Sequence, residues 1–122
     1  MTVDLQMKIL LVEDAGTMRK MEAKILNQVG FTNIVEAADG REALDRLEAE
    51  GDDIRLIISD WAMPNMDGYE LLGRVRAEAR FKDIPFVMAT GHGDKEYVAK
   101  AKAAGASGVV AKPFTADDLK TL

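Results

Sequence analysis

Residues 57–68 read IISDWAMPNMDG, and this stretch decides the fold. It begins as a short apolar run, which is typical of a buried strand, and it ends in a loop marked by Pro64 and Gly68. Asp60 lies at the junction of the two parts. A carboxylate at the end of a hydrophobic strand is costly to hold there unless it accepts hydrogen bonds, faces a cation or borders solvent. We therefore expect other parts of the chain to supply groups that interact with Asp60.

The rest of the chain alternates between short apolar runs and segments with helical periodicity. The predicted strands cover residues 8–12, 33–37, 55–59, 85–90 and 108–111. The predicted helices cover residues 16–29, about 39–51, 68–77 and about 94–104, and a last helix begins at Thr115 with Asp118 in a variant of the capping box. The apolar stripe of the first helix is Met18, Met21, Ile25, Leu26 and Val29. The alanine-rich stripe of the fourth helix predicts weaker packing on the sheet.

This alternation predicts an α/β fold, because right-handed crossovers between parallel strands place helices on both faces of a sheet. We expect a flavodoxin-like, doubly wound, five-stranded parallel sheet of order 2-1-3-4-5, that is (βα)5, formed by one domain over residues 1–122. Sheets of this class bind ligands at the carboxyl ends of the strands, beside the switch point between strands 1 and 3.

Composition excludes several classes of protein. The chain has no cysteine, so it contains neither a disulfide framework nor a thiolate metal site, and we expect a cytoplasmic protein. The longest aliphatic run, residues 9–12, is too short to span a bilayer. A net charge of -5 disfavours binding to nucleic acid or to anionic membranes. We expect a monomer without a direct nucleic-acid or membrane partner.

Polar groups follow four of the predicted strands. Strands 1, 3, 4 and 5 end respectively in Glu13-Asp14, Asp60, Thr90 and Lys112. Three carboxylates that meet in one crevice repel each other by as much as ~4 kcal/mol per pair at close approach, so a cation must enter. Because the ligands are oxygen atoms, a hard ion is implied, and Mg2+ fits a site with few protein ligands. The ammonium of Lys112 supplies a second positive charge.

A divalent cation, a lysine and a hydroxyl around one carboxylate suit a phosphoryl group. Asp60 is then the nucleophile that forms an acyl phosphate. Thr90 and Lys112 would contact the phosphoryl oxygens. The predicted metal ligands are Asp14 directly, Glu13 directly or through water, Asp60 and the carbonyl of Ala62. Since adjacent residues of a strand point to opposite sides, whether both acidic residues reach the metal stays open.

In combination, these motifs resemble those of two-component response-regulator receiver domains, and most closely those of the single-domain chemotaxis regulators. The resemblance runs from Lys8 to Leu119 and rests on the acidic pair, on DWAMPNMDG from Asp60, on Thr90 and on KPF from Lys112. It implies phosphorylation of Asp60 by a sensor histidine kinase, dependence on Mg2+, and a cis peptide bond before Pro113. It also implies that phosphorylation changes the face of helix 4, strand 5 and helix 5, where a downstream target binds.

The sequence departs from the family pattern at three positions. Val109 stands three residues before the lysine, where the family usually has a tyrosine or phenylalanine that swings inward. Ala62 and His92 follow Asp60 and Thr90 by two residues, at positions that in this family tune attack of water on the acyl phosphate. Partners implied by the family are a flagellar-motor switch protein and a phosphatase. A phosphate relay or sink, or a receiver module within a larger regulator, is the alternative role.

Two functions from other classes compete with a signalling switch that is not a turnover enzyme. A dehalogenase-like phosphatase also passes through an aspartyl phosphate, but such an enzyme needs a second aspartate where this chain has Ala62. A flavin-binding module needs a phosphate cradle after the first strand, where Glu13 and Asp14 would repel the phosphate.

Overall fold

The computed structural model describes residues 5–91, 95–112 and 114–115. The strands are β1 (Lys8–Val12), β2 (Ile34–Ala37), β3 (Ile54–Asp60), β4 (Phe86–Thr90) and β5 (Gly108–Ala111). The helices are α1 (Gly16–Val29), α2 (Gly40–Glu50), α3 (Gly68–Ala77) and α4 (Lys95–Ala103). Three predicted features lie outside the described residues, namely the fifth helix with Asp118, the cis peptide bond before Pro113 and the position of His92.

All five strands are parallel and pair in the order β2-β1-β3-β4-β5, which confirms the predicted flavodoxin-like sheet. β3 includes Asp60, one residue beyond its predicted end, because the ladder continues there and the Trp61 N–H donates to the Ala89 carbonyl at 3.1 Å. β4 begins one residue later than predicted, since Pro85 has no N–H to donate. β2 also begins one residue later than predicted, at Ile34.

Successive side chains of the central strands enter two separate cores, one on each face of the sheet. Leu10, Ile57 and Met88 pack with α2, α3 and Ala101 of α4. Ile9, Ile58 and Val87 pack on the other face with Leu26 of α1. The sheet is therefore covered on both faces, and its carboxyl edge is the edge at which the polar strand ends meet.

The face that α1 turns toward the sheet differs from the predicted stripe. Met21 is 43 % exposed, whereas Glu22 is 2 % exposed and lies one helical turn before the buried Leu26. The glutamate therefore occupies a position that the periodicity assigned to an apolar side chain. In α4, Ala101 is the only buried residue, as the alanine-rich stripe predicts. No helix in the described part of the chain is long and apolar enough to cross a bilayer.

The loop that follows Asp60 is fixed on two helices. The Gly68 N–H donates to the Trp61 carbonyl at 2.7 Å, and the side chain of Asp67 caps α3. Asn65 has a positive φ of 66°, and its amide donates to the Asp39 carboxylate at the start of α2 at 2.8 Å. These contacts hold the backbone on both sides of the loop, so that Asp60 lies on a rigid support.

Candidate functional site

The carboxyl edge of the sheet brings Lys112 into contact with two of the predicted acidic residues. Its Nζ lies 2.7 Å from Glu13 Oε1 and 3.0 Å from Asp60 Oδ2. The Glu13 side chain is 1 % exposed, that of Asp60 8 % and that of Lys112 17 %. Because the pairing occurs away from water, it is screened much less than a surface ion pair. Residues separated by up to 99 positions of the chain therefore meet in one buried cluster, as predicted from the strand ends.

The backbone around the cluster is ordered by hydrogen bonds that continue beyond the strands. The Lys112 N–H donates to the Thr90 carbonyl at 2.9 Å, and the Glu13 N–H donates to the Ala37 carbonyl at 3.0 Å. Thr90 itself is 1 % exposed and ends β4 beside Asp60 of β3. Glu13 and Lys112, which follow β1 and β5, are thus held by the neighbouring strands β2 and β4.

Glu13 and Asp14 follow β1 and face different environments. Glu13 is buried, and its Oε2 accepts a hydrogen bond from the Ala15 N–H at 3.2 Å, whereas Asp14 is exposed. Arg19 donates to the Glu13 carbonyl at 2.8 Å and fixes the turn between β1 and α1. Both acidic residues still offer an oxygen to the site, because one oxygen each from Glu13, Asp14 and Asp60 lie within 4.8 Å of one another.

The charges of the cluster alter the pKa values of its members. Partial burial, and then the hydrogen bond and the charge of Glu13, raise the pKa of the Asp14 carboxyl above 3.8. Burial by itself lowers the pKa of the Lys112 ammonium, but the hydrogen bonds to and charges of Glu13 and Asp60 outweigh that effect, and its pKa is raised above 10.5. Lys112 therefore stays cationic, and one ammonium faces three carboxyl groups.

The donor set of this cluster fits a hard divalent cation. All three side chains contribute carboxylate oxygens, which Mg2+ and Ca2+ prefer. Soft metals prefer sulfur ligands instead. Their oxygens are close enough to serve one ion after small adjustments, and a divalent charge would offset the repulsion that one lysine leaves uncompensated. The exposed position of Asp14 leaves room for water ligands, which Mg2+ usually keeps.

Glu22 is a buried acidic residue near the site that was not predicted as one of its members. It projects from α1, and burial is the main reason that its pKa is raised from 4.5 to about 7. The negative charges of Glu13 and Asp60 raise this pKa further, and the positive charge of Lys112 lowers it. The sequence did carry a signal, because Glu22 lies one turn before Leu26 and one turn after Met18, within the apolar stripe.

Glu22→Gln is expected to remove a pH-dependent loss of stability. Because the pKa of Glu22 is raised on folding, its contribution to stability is complete below about pH 4.5 and is lost as the pH rises through about 7. The loss amounts to on the order of 3 kcal/mol. Urea unfolding from about pH 5 to pH 8 should give a flatter curve of unfolding free energy against pH for the variant than for the wild type.

Glu78→Gln, at an exposed position after α3, is the control and should follow the wild type. Parallel curves for wild type and Glu22→Gln would contradict this account.

A cleft of about 370 Å³ opens above Asp60. Thr90 and Lys112 line its polar side, and Trp61, Ala62 and Tyr97 line the other side. The structure therefore brings Asp60, Thr90 and Lys112 together at one opening, with Ala62 beside them, while the metal-binding role of the Ala62 carbonyl remains a prediction.

The aromatic side of the cleft is part of a cluster between α3 and α4. The rings of Trp61 and Tyr69 are stacked, with centroids 5.5 Å apart and planes 15° apart. Tyr97 meets Trp61 edge to face, with centroids 5.1 Å apart and planes 76° apart, and Lys100 Nζ lies 4.6 Å from the centroid of the Tyr69 ring. The sequence did not predict this cluster, because Tyr69 and Tyr97 belong to helices whose relative position is set by the sheet.

Comparisons with known proteins agree with this fold. Residues 9–122 match the family described as the response regulator receiver domain. The chemotaxis protein CheY of Pseudomonas aeruginosa is 44% identical over 114 residues, which are 93% of this chain and 90% of that protein. The structure of CheY4 of Vibrio cholerae has a TM-score of 0.83 and 38% identity, and covers 95% of both chains. A CheX-CheY-BeF3-Mg+2 complex from Borrelia burgdorferi has a TM-score of 0.86 at 26% identity, and covers 94% of this chain and 84% of that one.

Proposed function

Since the chain belongs to the response regulator receiver family, with a phospho-accepting role in two-component signalling, we propose that a sensor histidine kinase transfers a phosphoryl group to Asp60 in a Mg2+-dependent reaction. The observation that carries this proposal is the contact of Lys112 Nζ with both Asp60 and Glu13 at the carboxyl edge of the sheet. That contact places a fixed cation beside a carboxylate that opens on a cleft, where incoming phosphoryl oxygens need positive charge.

The side chains of the cluster take distinct roles in this transfer. Asp60 attacks phosphorus, the bond from phosphorus to the ring nitrogen of the donor breaks, and the electron pair of that bond returns to the nitrogen, which binds a proton. Lys112 moves from the Asp60 oxygen to a phosphoryl oxygen and remains paired with Glu13. The Thr90 hydroxyl, which lies at the end of the adjacent strand, contacts a second phosphoryl oxygen.

Glu13, Asp14, Asp60 and the Ala62 carbonyl would hold Mg2+. The ion supplies positive charge to the phosphoryl oxygens when it is bound. The Borrelia burgdorferi neighbour was solved with BeF3 and Mg+2, and the acidic cluster of the present chain has oxygen donors suited to the same ion. Asp14 is exposed and its carboxyl has a raised pKa, so its protonation at low pH would weaken metal binding.

The output of the switch is expected on the face formed by α4, β5 and the segment after Lys112. Val109 is half-buried in β5 and packs against the core, so that the inward movement of an aromatic ring at this position cannot be part of the switch. Chemotaxis is the proposed pathway, with a flagellar-motor switch protein as target and a phosphatase as a second partner, because the similar proteins include chemotaxis regulators. A phosphate relay or sink is the alternative role, and it needs no aromatic switch.

The proposal is tested by incubating the protein with Mg2+ and acetyl phosphate. We expect one phosphoryl group per chain by mass spectrometry, stable in acid and labile in base as an acyl phosphate is, with Asp60 as its site. Addition of EDTA should prevent its formation, because the acidic cluster would then repel the incoming phosphate. Absence of an adduct in the presence of Mg2+ would reject the proposal. Rapid multiple turnover of phosphomonoesters would instead favour a phosphatase.

A further inference from the structure

We infer that Trp61 and Tyr97 form a binding surface for a planar aromatic leaving group, and that Tyr97 thereby makes this chain selective for heteroaromatic phosphoryl donors over acyl phosphates. The inference rests on the proposed phosphorylation of Asp60. It assigns a role to the two aromatic residues that line the cleft and that the transfer reaction itself does not use.

The position of the leaving group follows from the position of the nucleophile. In phosphoryl transfer, the attacking and leaving atoms lie roughly in line on opposite sides of phosphorus. Asp60 lies 7 % exposed at the base of the cleft, with Lys112 and Thr90 around it. The leaving group must therefore lie toward the open side of the cleft, where the lining residues Trp61 and Tyr97 are more exposed than Asp60.

Residues with small side chains border the cleft in the part of the chain that the structure describes. Ala62 and Gly91 are both exposed there, and among the described residues no atom lies within 4 Å of a Cβ built on Gly91. Trp61 and Tyr97 are half-buried and meet with their planes 76° apart. Two nearly perpendicular rings form a corner in which a planar ring can stack on one and present its edge to the other.

This corner is organised before any donor binds. Tyr69 stacks on Trp61 on the side of α3, and Lys100 lies over Tyr69 at 4.6 Å. Since these contacts already restrain the Trp61 side chain, little side-chain entropy is lost when a ring is placed against it. The phosphorylated imidazole of a histidine is planar and becomes cationic when it is protonated, so both stacking and cation–π attraction favour it. The acetate that leaves acetyl phosphate has no ring and is anionic.

The experiment compares two donors in one protein. The rate of adduct formation on Asp60 is measured with monophosphoimidazole and with acetyl phosphate, and the ratio of the two rates is used, so that a general loss of Asp60 reactivity cancels. Tyr97→Leu should lower this ratio by roughly two- to tenfold. Tyr97→Phe keeps the ring and should keep the ratio of the wild type. Lys102→Ala changes an exposed residue of the same helix that does not line the cleft, and it is the matched control, with an unchanged ratio.

The outcomes separate this inference from the proposed function. An unchanged ratio in Tyr97→Leu, with adduct formed from both donors, overturns the inference alone. A ratio that falls equally in Tyr97→Phe also overturns it, because the hydroxyl and not the ring would then be responsible. Absence of adduct from both donors in the wild type overturns the inference together with the proposed function.

A second measurement needs no variant. Imidazole added to the wild type should shift the ring proton signals of Trp61 and Tyr97 in NMR spectra, whereas acetate at the same concentration should not. No shift with imidazole, or equal shifts with both compounds, contradicts the assigned surface. Trp61 is the single tryptophan of the chain, so its signals can be assigned directly.

Discussion

Asp60→Asn is expected to abolish formation of the covalent phosphoryl adduct. An amide is not a competent nucleophile toward phosphorus, and no other carboxylate of the cluster is placed to replace Asp60, since neither Glu13 nor Asp14 lines the cleft. The remaining side chains keep their places, because asparagine has the shape of aspartate and can still accept a hydrogen bond from Lys112. The measurement is the mass of the protein after incubation with Mg2+ and acetyl phosphate, together with its unfolding temperature.

Asp14→Asn is the matched control for this experiment. It removes the same charge from the same cluster but leaves the nucleophile, so it should weaken Mg2+ binding and slow the reaction without abolishing it. A full adduct on Asp60→Asn would show that another residue accepts the phosphoryl group. Unfolding of the Asp60→Asn variant would show instead that the carboxylate is structural.

Gly68→Ala is expected to destabilise the protein strongly. A Cβ at this position would overlap the carbonyl oxygen of Asp60 and would lie 3.0 Å from the Met88 sulfur. Neither neighbour can easily move, because Asp60 ends a central strand and Met88 is fully buried. Overpacking of this kind costs typically 1–3 kcal/mol, and we expect a loss of about 3 kcal/mol in the free energy of unfolding in urea.

Gly73 provides the control for this substitution. It lies on the same helix, and apart from the nearby backbone of that helix no atom in the described part of the chain lies within 4 Å of a Cβ built on it. Gly73→Ala should therefore stabilise the protein by roughly 0.5–1 kcal/mol, as replacement of an exposed helical glycine does. Equal effects of the two substitutions would show that the close approach of Gly68 to Asp60 is unimportant. Since the same contact holds the backbone next to Asp60, Gly68→Ala should also slow adduct formation.

The sheet could be predicted from the sequence because apolar runs locate the strands and the rule for right-handed crossovers makes those strands parallel. The apolar runs located each strand to within one residue or so, and the polar groups after them predicted the cluster of Glu13, Asp60 and Lys112 that the structure shows. The doubt about Glu13 arose from strand alternation. That rule does not apply after Val12, where β1 has ended and a turn directs both acidic residues toward the site.

Two features of the site were not predicted, for different physical reasons. Periodicity assigned Met21 to the buried stripe of α1 because its side chain is apolar, but Glu22, one turn from both Met18 and Leu26, lies nearer the middle of that stripe. The spacing carried the signal, and the charge of the side chain obscured it. The aromatic cluster depends on the distance between α3 and α4, which the packing of both helices on the sheet determines and which the spacing of residues along the chain does not show.

Helix α4 packs less closely on the sheet than the other helices do, and this affects how easily the helix can move. Because Ala101 is the only buried residue among the described residues 95–103 of this helix, α4 contributes little to the core, and Tyr97 adds an edge-to-face contact with Trp61. Local opening of α4 therefore requires much less free energy than global unfolding, while the central strands remain protected. Asp60 is next to Trp61 in the chain. A chemical change at Asp60 therefore needs to supply only the free energy of this local opening to shift the populations of the conformations of α4.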